Sequence, residues 1–264
     1  MSTYQISEVA HEYGDNVHIL NDPFLTTQLA RLCTHDVVQP EFNQLITTLY
    51  TSLIRTVINQ MYPLRTIECP TRMIDHTPRG VLRGELVDRD TASVVVDIAR
   101  AGILPSQICF DTLNGILNPS VVRQDHLIMA RTVDQDERVT GASITGKKIG
   151  GSVDGRFVLF PDPMGATGNS LATAMRSYSN GSLGRPRRLI SLNLIVTPEF
   201  IRTLTEAFDN VSIFAIRVDR GMSSPDVLAD VPGRQWSKES GLTDKQYIVP
   251  GGGGFGELMN NSWV

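Results

Sequence analysis

Cysteine is scarce in this chain. Its three thiols, Cys33, Cys69 and Cys109, are odd in number and far apart, with no C-x-x-C pair and no neighbouring His pair. That excludes a disulfide framework and a zinc ribbon, and predicts reduced, mostly buried thiols. An excess of positive charge is also missing. The 24 basic and 28 acidic residues leave a net charge of −4, so no whole-molecule field exists to hold nucleic acid or anionic lipid. No apolar run approaches the roughly 20 residues of a membrane helix, and the opening MSTYQISEVAHEYGD has no basic-then-apolar signal pattern. The expectation is a soluble, cytoplasmic protein without a membrane partner. The five histidines, His11, His18, His35, His76 and His126, show no ligand spacing, so no resident metal site is expected.

What the chain does have is enough length, 264 residues, and enough apolar content, 41%, to bury a core unaided. After a polar leader, Pro40 to Tyr62 places Phe42, Leu45, Ile46, Leu49, Leu53, Ile54, Val57 and Ile58 on one face of a helix. Arg65 to Leu86 is mixed and β-leaning. Thr91 to Ile98 is a short β-branched run, the mark of a strand covered on both faces. Helix then alternates with strand: helix from Leu104 to Ile116, strands near Asp125 to Ala130 and Arg156 to Phe160, and helix from Asn169 to Tyr178. Leu189 to Val196 follows as strand, Pro198 to Phe208 as helix opened by proline, and Val211 to Val218 as strand.

That rhythm predicts an α/β fold, a mostly parallel sheet flanked by helices. Two stretches break it: Thr132 to Gly155, glycine-rich and charged, expected as a flexible flap, and the irregular Asp219 to Gly256. No linker composition separates them, so residues 1–264 read as one domain. It carries an N-terminal helical extension over about 1–62, the flap over about 132–155 and a small C-terminal hood over about 219–264.

The chemistry concentrates after the strand ending at Phe160. An acid, Asp162, is followed by small residues from Gly165 to Ser170 leading into a helix. Free amides at a helix start carry partial positive charge, and small side chains let a phosphate reach them. Thr167 and Ser170 add hydroxyls. The place is the carboxyl edge of a parallel sheet, where open α/β folds bind ligands. A Walker A cradle requires lysine where Asn169 stands. A serine-hydrolase elbow at Gly168-Asn-Ser-Leu-Ala lies too far from the strand and lacks the final glycine. A glycine-rich turn without ligand is the remaining alternative. Arg185-Pro-Arg-Arg188 reads as a solvated turn.

The segment Asp162-Pro-Met-Gly-Ala-Thr-Gly-Asn-Ser170 resembles the phosphoribosyl pyrophosphate (PRPP) loop of the type I phosphoribosyltransferases, in the form found in uracil phosphoribosyltransferases. Three further segments agree in order: Ile98-Ala-Arg-Ala-Gly102, Met129-Ala-Arg131 and Tyr247-Ile-Val-Pro-Gly251. The resemblance implies transfer of the phosphoribosyl group of PRPP to a nucleobase, uracil first, giving UMP and pyrophosphate. It implies Gly165, Ala166, Thr167, Gly168, Asn169 and Ser170 around the 5′-phosphate, flanked by Pro163 and Met164, with Asp162 accepting from the ribose hydroxyls. Arg100 and Arg131 would neutralise the pyrophosphate, and Asp162 and Arg100 would be the catalytic pair.

Magnesium would arrive on the pyrophosphate of PRPP and the flap would exclude water. The resemblance further implies a homodimer. For the base it implies main-chain readout by the segment Gly253-Gly-Phe-Gly-Glu257, with Ile248, Gly253, Gly254 and Phe255 as contacts; the family's acid in this motif is Gly254 here. The alternative is a non-catalytic PRPP-binding or regulatory protein on the same fold. Gly251 to Gly256 also satisfies G-x-G-x-x-G, but too few residues follow for a βαβ unit, which excludes a dinucleotide site.

Overall fold

The computed structural model describes residues 4–133 and 139–263, with the side chains of residues 131–142 outside the description. Its main sheet runs β1(Val17–Ile19), β10(Val211–Val218), β9(Arg188–Val196), β7(Phe157–Pro161), β4(Ser93–Ala99), β5(Val122–Val133) and β6(Val139–Lys148), with the short β8(Met164–Gly165) also on β9. All pairings are parallel except β5 with β6. β2(Leu64–Pro70) and β3(Val81–Val87) form a separate antiparallel hairpin. The helices are α1(Pro23–Leu32), α2(Glu41–Met61), α3(Ile103–Ile116), α4(Asn169–Ser179), α5(Pro198–Ala207), α6(Pro225–Leu228) and α7(Phe255–Asn260).

Both faces of the sheet are covered, which is why its central strands are continuous hydrophobic runs rather than alternating ones. Val95 of β4 faces α2 and α3, together with Leu159, Ile190, Leu192 and Leu194. Val94, Val96 and Ile98 face the opposite way, onto the layer of α4 and α5. The apolar stripe of α2, from Phe42 to Ile58, is buried in the first of these cores, so the helix is part of the body.

Two segments hold structure that the sequence did not reveal, and one expectation, that of mostly buried thiols, needs correction. The polar leader contains structure: β1 adds to the sheet edge, and α1 is capped by the Asp22 carboxylate accepting from the Leu25 amide at 3.1 Å. The Thr132 to Gly155 segment, expected as a flap, contains regular structure. Val139–Lys148 forms an edge strand on β5, whose one-sided exposure hides any alternation of hydrophobic residues. The remainder of that flap includes residues outside the description. Cysteine burial is uneven, with Cys109 buried, Cys33 half-buried and Cys69 exposed on the hairpin. Among the described residues no helix is long and apolar enough to cross a membrane.

Candidate active site

β7 is buried along its length and delivers Asp162 at its carboxyl end. The aspartate backbone is gripped from β9. Its amide donates to the Leu192 carbonyl at 3.0 Å, and its carbonyl accepts from Asn193 Nδ2 at 2.6 Å. Asn193 is fully buried and is oriented by the Ser191 hydroxyl, which donates to its Oδ1 at 2.6 Å.

Beyond Asp162 the loop carbonyls are tied back to protein one after another. Pro163 O accepts from the Leu194 and Ile195 amides, both at 3.1 Å, and Gly165 O from the Thr197 amide at 3.0 Å. Ala166 O accepts from Thr197 Oγ1 at 2.6 Å and Thr167 O from Thr203 Oγ1 at 2.7 Å. Gly168 O accepts from the Ala172 amide at 2.8 Å, opening α4. A peptide's carbonyl and the following N–H point in opposite directions, so carbonyls turned inward turn those amides outward. Among the described residues the amides of Ala166, Thr167, Gly168, Ser170 and Leu171 have no protein acceptor. That of Asn169 has only a long contact to Thr167 Oγ1 at 3.4 Å.

Two glycines permit this path. A Cβ on Gly165 would lie 2.8 Å from the Phe200 ring, and Gly168 is left-handed at φ +81°, with Thr203 only 3.0 Å from where its Cβ would sit. The predicted loop thus divides. Asp162, Pro163, Met164 and Gly165 are the anchor, the last two as β8, whereas residues 166–171 present donors around a helix start, an anion cradle. Leu171 was missed because its apolar side chain gives no hint of a free amide.

Burial pushes the Asp162 carboxyl up to about 6, a rise partly opposed by the Met164 amide donating to it at 3.3 Å. Opposite stands the turn after β4. A Cβ on Gly102 would lie 2.7 Å from the Ile98 carbonyl and 3.1 Å from that of Pro161, so this turn packs directly on the end of β7. Arg100 sits on that turn, after a cis Ala99–Arg100 peptide. Its guanidinium Nη1 donates to Ser262 O and Oγ at 3.2 and 3.0 Å, and Nη2 lies 3.4 Å from Glu257 Oε1. Arg131 lies in β5, and its side chain is outside the described residues.

The C-terminal loop arrives from the other side. Ile248 is half-buried against the core, and Gly253 and Gly254 are exposed. Phe255 departs from expectation: its ring is 1% exposed and meets Phe42 edge-on at 5.2 Å, leaving only its main chain for a base. A ring that large finds the core once α7 docks on α2. A Cβ on Gly254 would lie 2.5 Å from Glu257 Oε2. Sequence reasoning also missed the supporting residues Asn193, Thr197 and Thr203, of which only Thr197, standing before Pro198, carried a signal, that of a helix cap. Among the described residues no three His, Cys, Asp or Glu side chains gather to hold a metal ion.

The family model for uracil phosphoribosyltransferase matches residues 19–233. A uracil phosphoribosyltransferase of Acidovorax sp. is 28% identical over 246 residues, covering 92% of this chain and 97% of that protein. Another from Thermococcus gammatolerans is 35% identical over 100 residues, 38% of this chain and 35% of that protein. Among solved structures, the AQ2163 protein from Aquifex aeolicus superposes with a TM-score of 0.70 at 21% identity, covering 94% of this chain and 99% of that one, which supports the fold. With the motifs in order on a matching parallel sheet, the chain belongs to the uracil phosphoribosyltransferase family and is a pentosyltransferase.

Proposed function

We propose that this protein joins uracil to PRPP, releasing UMP and pyrophosphate. The observation that carries the reading is the row of amides from Ala166 to Leu171, turned outward at a helix start, of which only that of Asn169 meets a protein acceptor among the described residues, Thr167 Oγ1 at 3.4 Å. Such a row suits a dianionic 5′-phosphate. Asp162 then accepts from the ribose hydroxyls, and Arg100 and Arg131 carry the pyrophosphate, Arg100 exchanging its contacts with Glu257 and Ser262 for phosphate oxygens. Departure of pyrophosphate leaves an oxocarbenium-like sugar. Fixed charge beside it and exclusion of water by the 132–155 segment supply the acceleration. Mg²⁺ enters as part of the substrate, on the pyrophosphate oxygens.

Main-chain donors and acceptors of residues 252–255, with Ile248 beside them, read the pyrimidine edge. This requires no side chain at Gly254. The protein works as a cytoplasmic homodimer in this reading, and the apolar side chains that the β2–β3 hairpin exposes, Leu64, Leu82 and Leu86, favour such an association; sedimentation velocity tests it. The decisive experiment is a product assay with PRPP, Mg²⁺ and a panel of bases. Nucleoside monophosphate with uracil preferred is expected. Absence of nucleotide from every base would overturn the proposal.

A further inference from the structure

We infer that Arg217 and Asp219 are positioning residues for the nucleobase, clamping the C-terminal loop at Gly251 so that the main-chain groups of Gly252 to Gly254 stand in fixed directions. The inference rests on the reading of that loop as the base pocket. Asp219, just past the end of β10, is 2% exposed, and a carboxylate so enclosed has to find donors from the protein. It finds them in the Arg217 fork, with Nη2 at 2.8 Å, and in the Gly251 amide, also at 2.8 Å. Arg217 Nη2 donates in addition to the Gly251 carbonyl at 2.9 Å. Both polar groups of one loop residue are therefore claimed by a single ion pair rooted in the sheet. Gly251 is left-handed at φ +65°, and a Cβ there would lie 2.4 Å from the Ile248 carbonyl, so the chain turns sharply at the clamp.

The next residue is pinned too. A Cβ on Gly252 would lie 2.6 Å from the Phe255 ring and 2.9 Å from Cys33 Sγ, and that sulfur is itself 3.9 Å from Arg217 Nη1. Gly253 and Gly254 then emerge exposed, and no backbone acceptor among the described residues takes the amides of Gly252, Gly253 or Gly254. A loop of four successive glycines has no intrinsic preference for one conformation. A planar fork that bonds a carboxylate and a carbonyl together supplies one, and lysine's single ammonium reproduces only part of that geometry.

The test uses the full chain with Arg217→Met and Arg217→Lys, assayed with uracil, PRPP and Mg²⁺, alongside amide hydrogen exchange. The expected result is a KM for uracil raised tenfold or more in the Met variant, partly recovered in the Lys variant, with KM for PRPP within twofold of the wild type. Exchange should quicken at the Gly251 amide, which Asp219 holds at 2.8 Å, and stay unchanged along the buried strand β7. Should the Met variant not fold, Asp219→Asn carries the same comparison. An unmoved KM for uracil, or equal rises in both KM values, overturns the assignment while leaving the proposed function standing. A wild-type protein that forms nucleotide from no base overturns the base reading itself, and the assignment with it.

Discussion

On the proposed function, Asp162 sets the needs of stability against those of substrate binding. Its carboxyl titrates near 6 where an unburied one titrates at 3.8. At about 1.4 kcal/mol for each tenfold change in proton affinity, keeping it ionised in the fold costs up to about 3 kcal/mol. The group keeps some solvent contact, which lowers the working figure to about 2 kcal/mol. The sign follows from the folded state binding this proton more tightly than the unfolded chain. The penalty is complete above pH 6, shrinks as pH falls through 6, and is gone below about 4. Asp162→Asn retains an oxygen for the Met164 amide and removes the charge. It should raise Tm by about 4–8 °C at pH 8 and by nothing at pH 4. The same variant loses the anionic acceptor for the ribose hydroxyls, so kcat/KM for PRPP should fall about a hundredfold. The wild-type value should itself rise with pH through an apparent pKa near 6. Thermal unfolding at pH 8, 6 and 4, paired with initial rates, checks both. A stability difference independent of pH, or a variant less stable at pH 8, would refute the reasoning.

Gly165→Ala drives a methyl into the Phe200 ring, 2.8 Å away, and should cost about 1–3 kcal/mol in urea unfolding as well as PRPP affinity. Adding Phe200→Leu should make the double variant less destabilised than the two singles summed. Glu257→Gln weakens a half-exposed contact to Arg100, so KM for PRPP should fall by about two- to fivefold; a rise would mean that the glutamate assists binding instead. Gly254→Asp meets only the far end of the Glu257 side chain, which can swing aside. It should therefore fold normally, lower KM for PRPP to the level of Glu257→Gln, and add nothing when the two are combined. Phe255→Ala empties a core position and should cost about 3–5 kcal/mol in guanidinium unfolding.

The strands and helices that read clearly from the sequence are those whose burial imposes a period. The α2 stripe, the β-branched run of β4 and the alternation from β7 to β10 are examples. Where burial is weak, the period fades. β1 is three residues long, and β6 is a glycine-bearing edge strand with charged residues, so neither stood out. The loop from Gly165 to Ser170 was legible as a candidate site because small residues there join a buried strand to a helix start. The base loop was legible only as a run of glycines. What fixes it lies 34 residues earlier along the chain in Arg217, inside a run that reads simply as strand, and in Asp219 directly after it. Partners so distant in sequence leave no periodic trace. Phe255 failed for the same reason, since its neighbour Phe42 is on a helix near the other end of the chain.

Even the legible half of the site depends on residues that look like scaffold. Thr197 caps α5 by accepting from the Phe200 amide at 3.1 Å, and its hydroxyl proton goes to the Ala166 carbonyl at 2.6 Å. Only a hydroxyl can accept from one backbone and donate to another through a single atom. Nearly two turns further along α5, the Thr203 hydroxyl donates to the Thr167 carbonyl at 2.7 Å, with the Glu199 carbonyl as its other acceptor at 3.0 Å. The outward amides are therefore oriented by a helix that lies behind the loop. Its first two turns belong to the candidate cradle as much as the glycines do: remove the two hydroxyls, and the carbonyls of Ala166 and Thr167 lose the partners that hold them inward, leaving the cradle's donors free to turn with them.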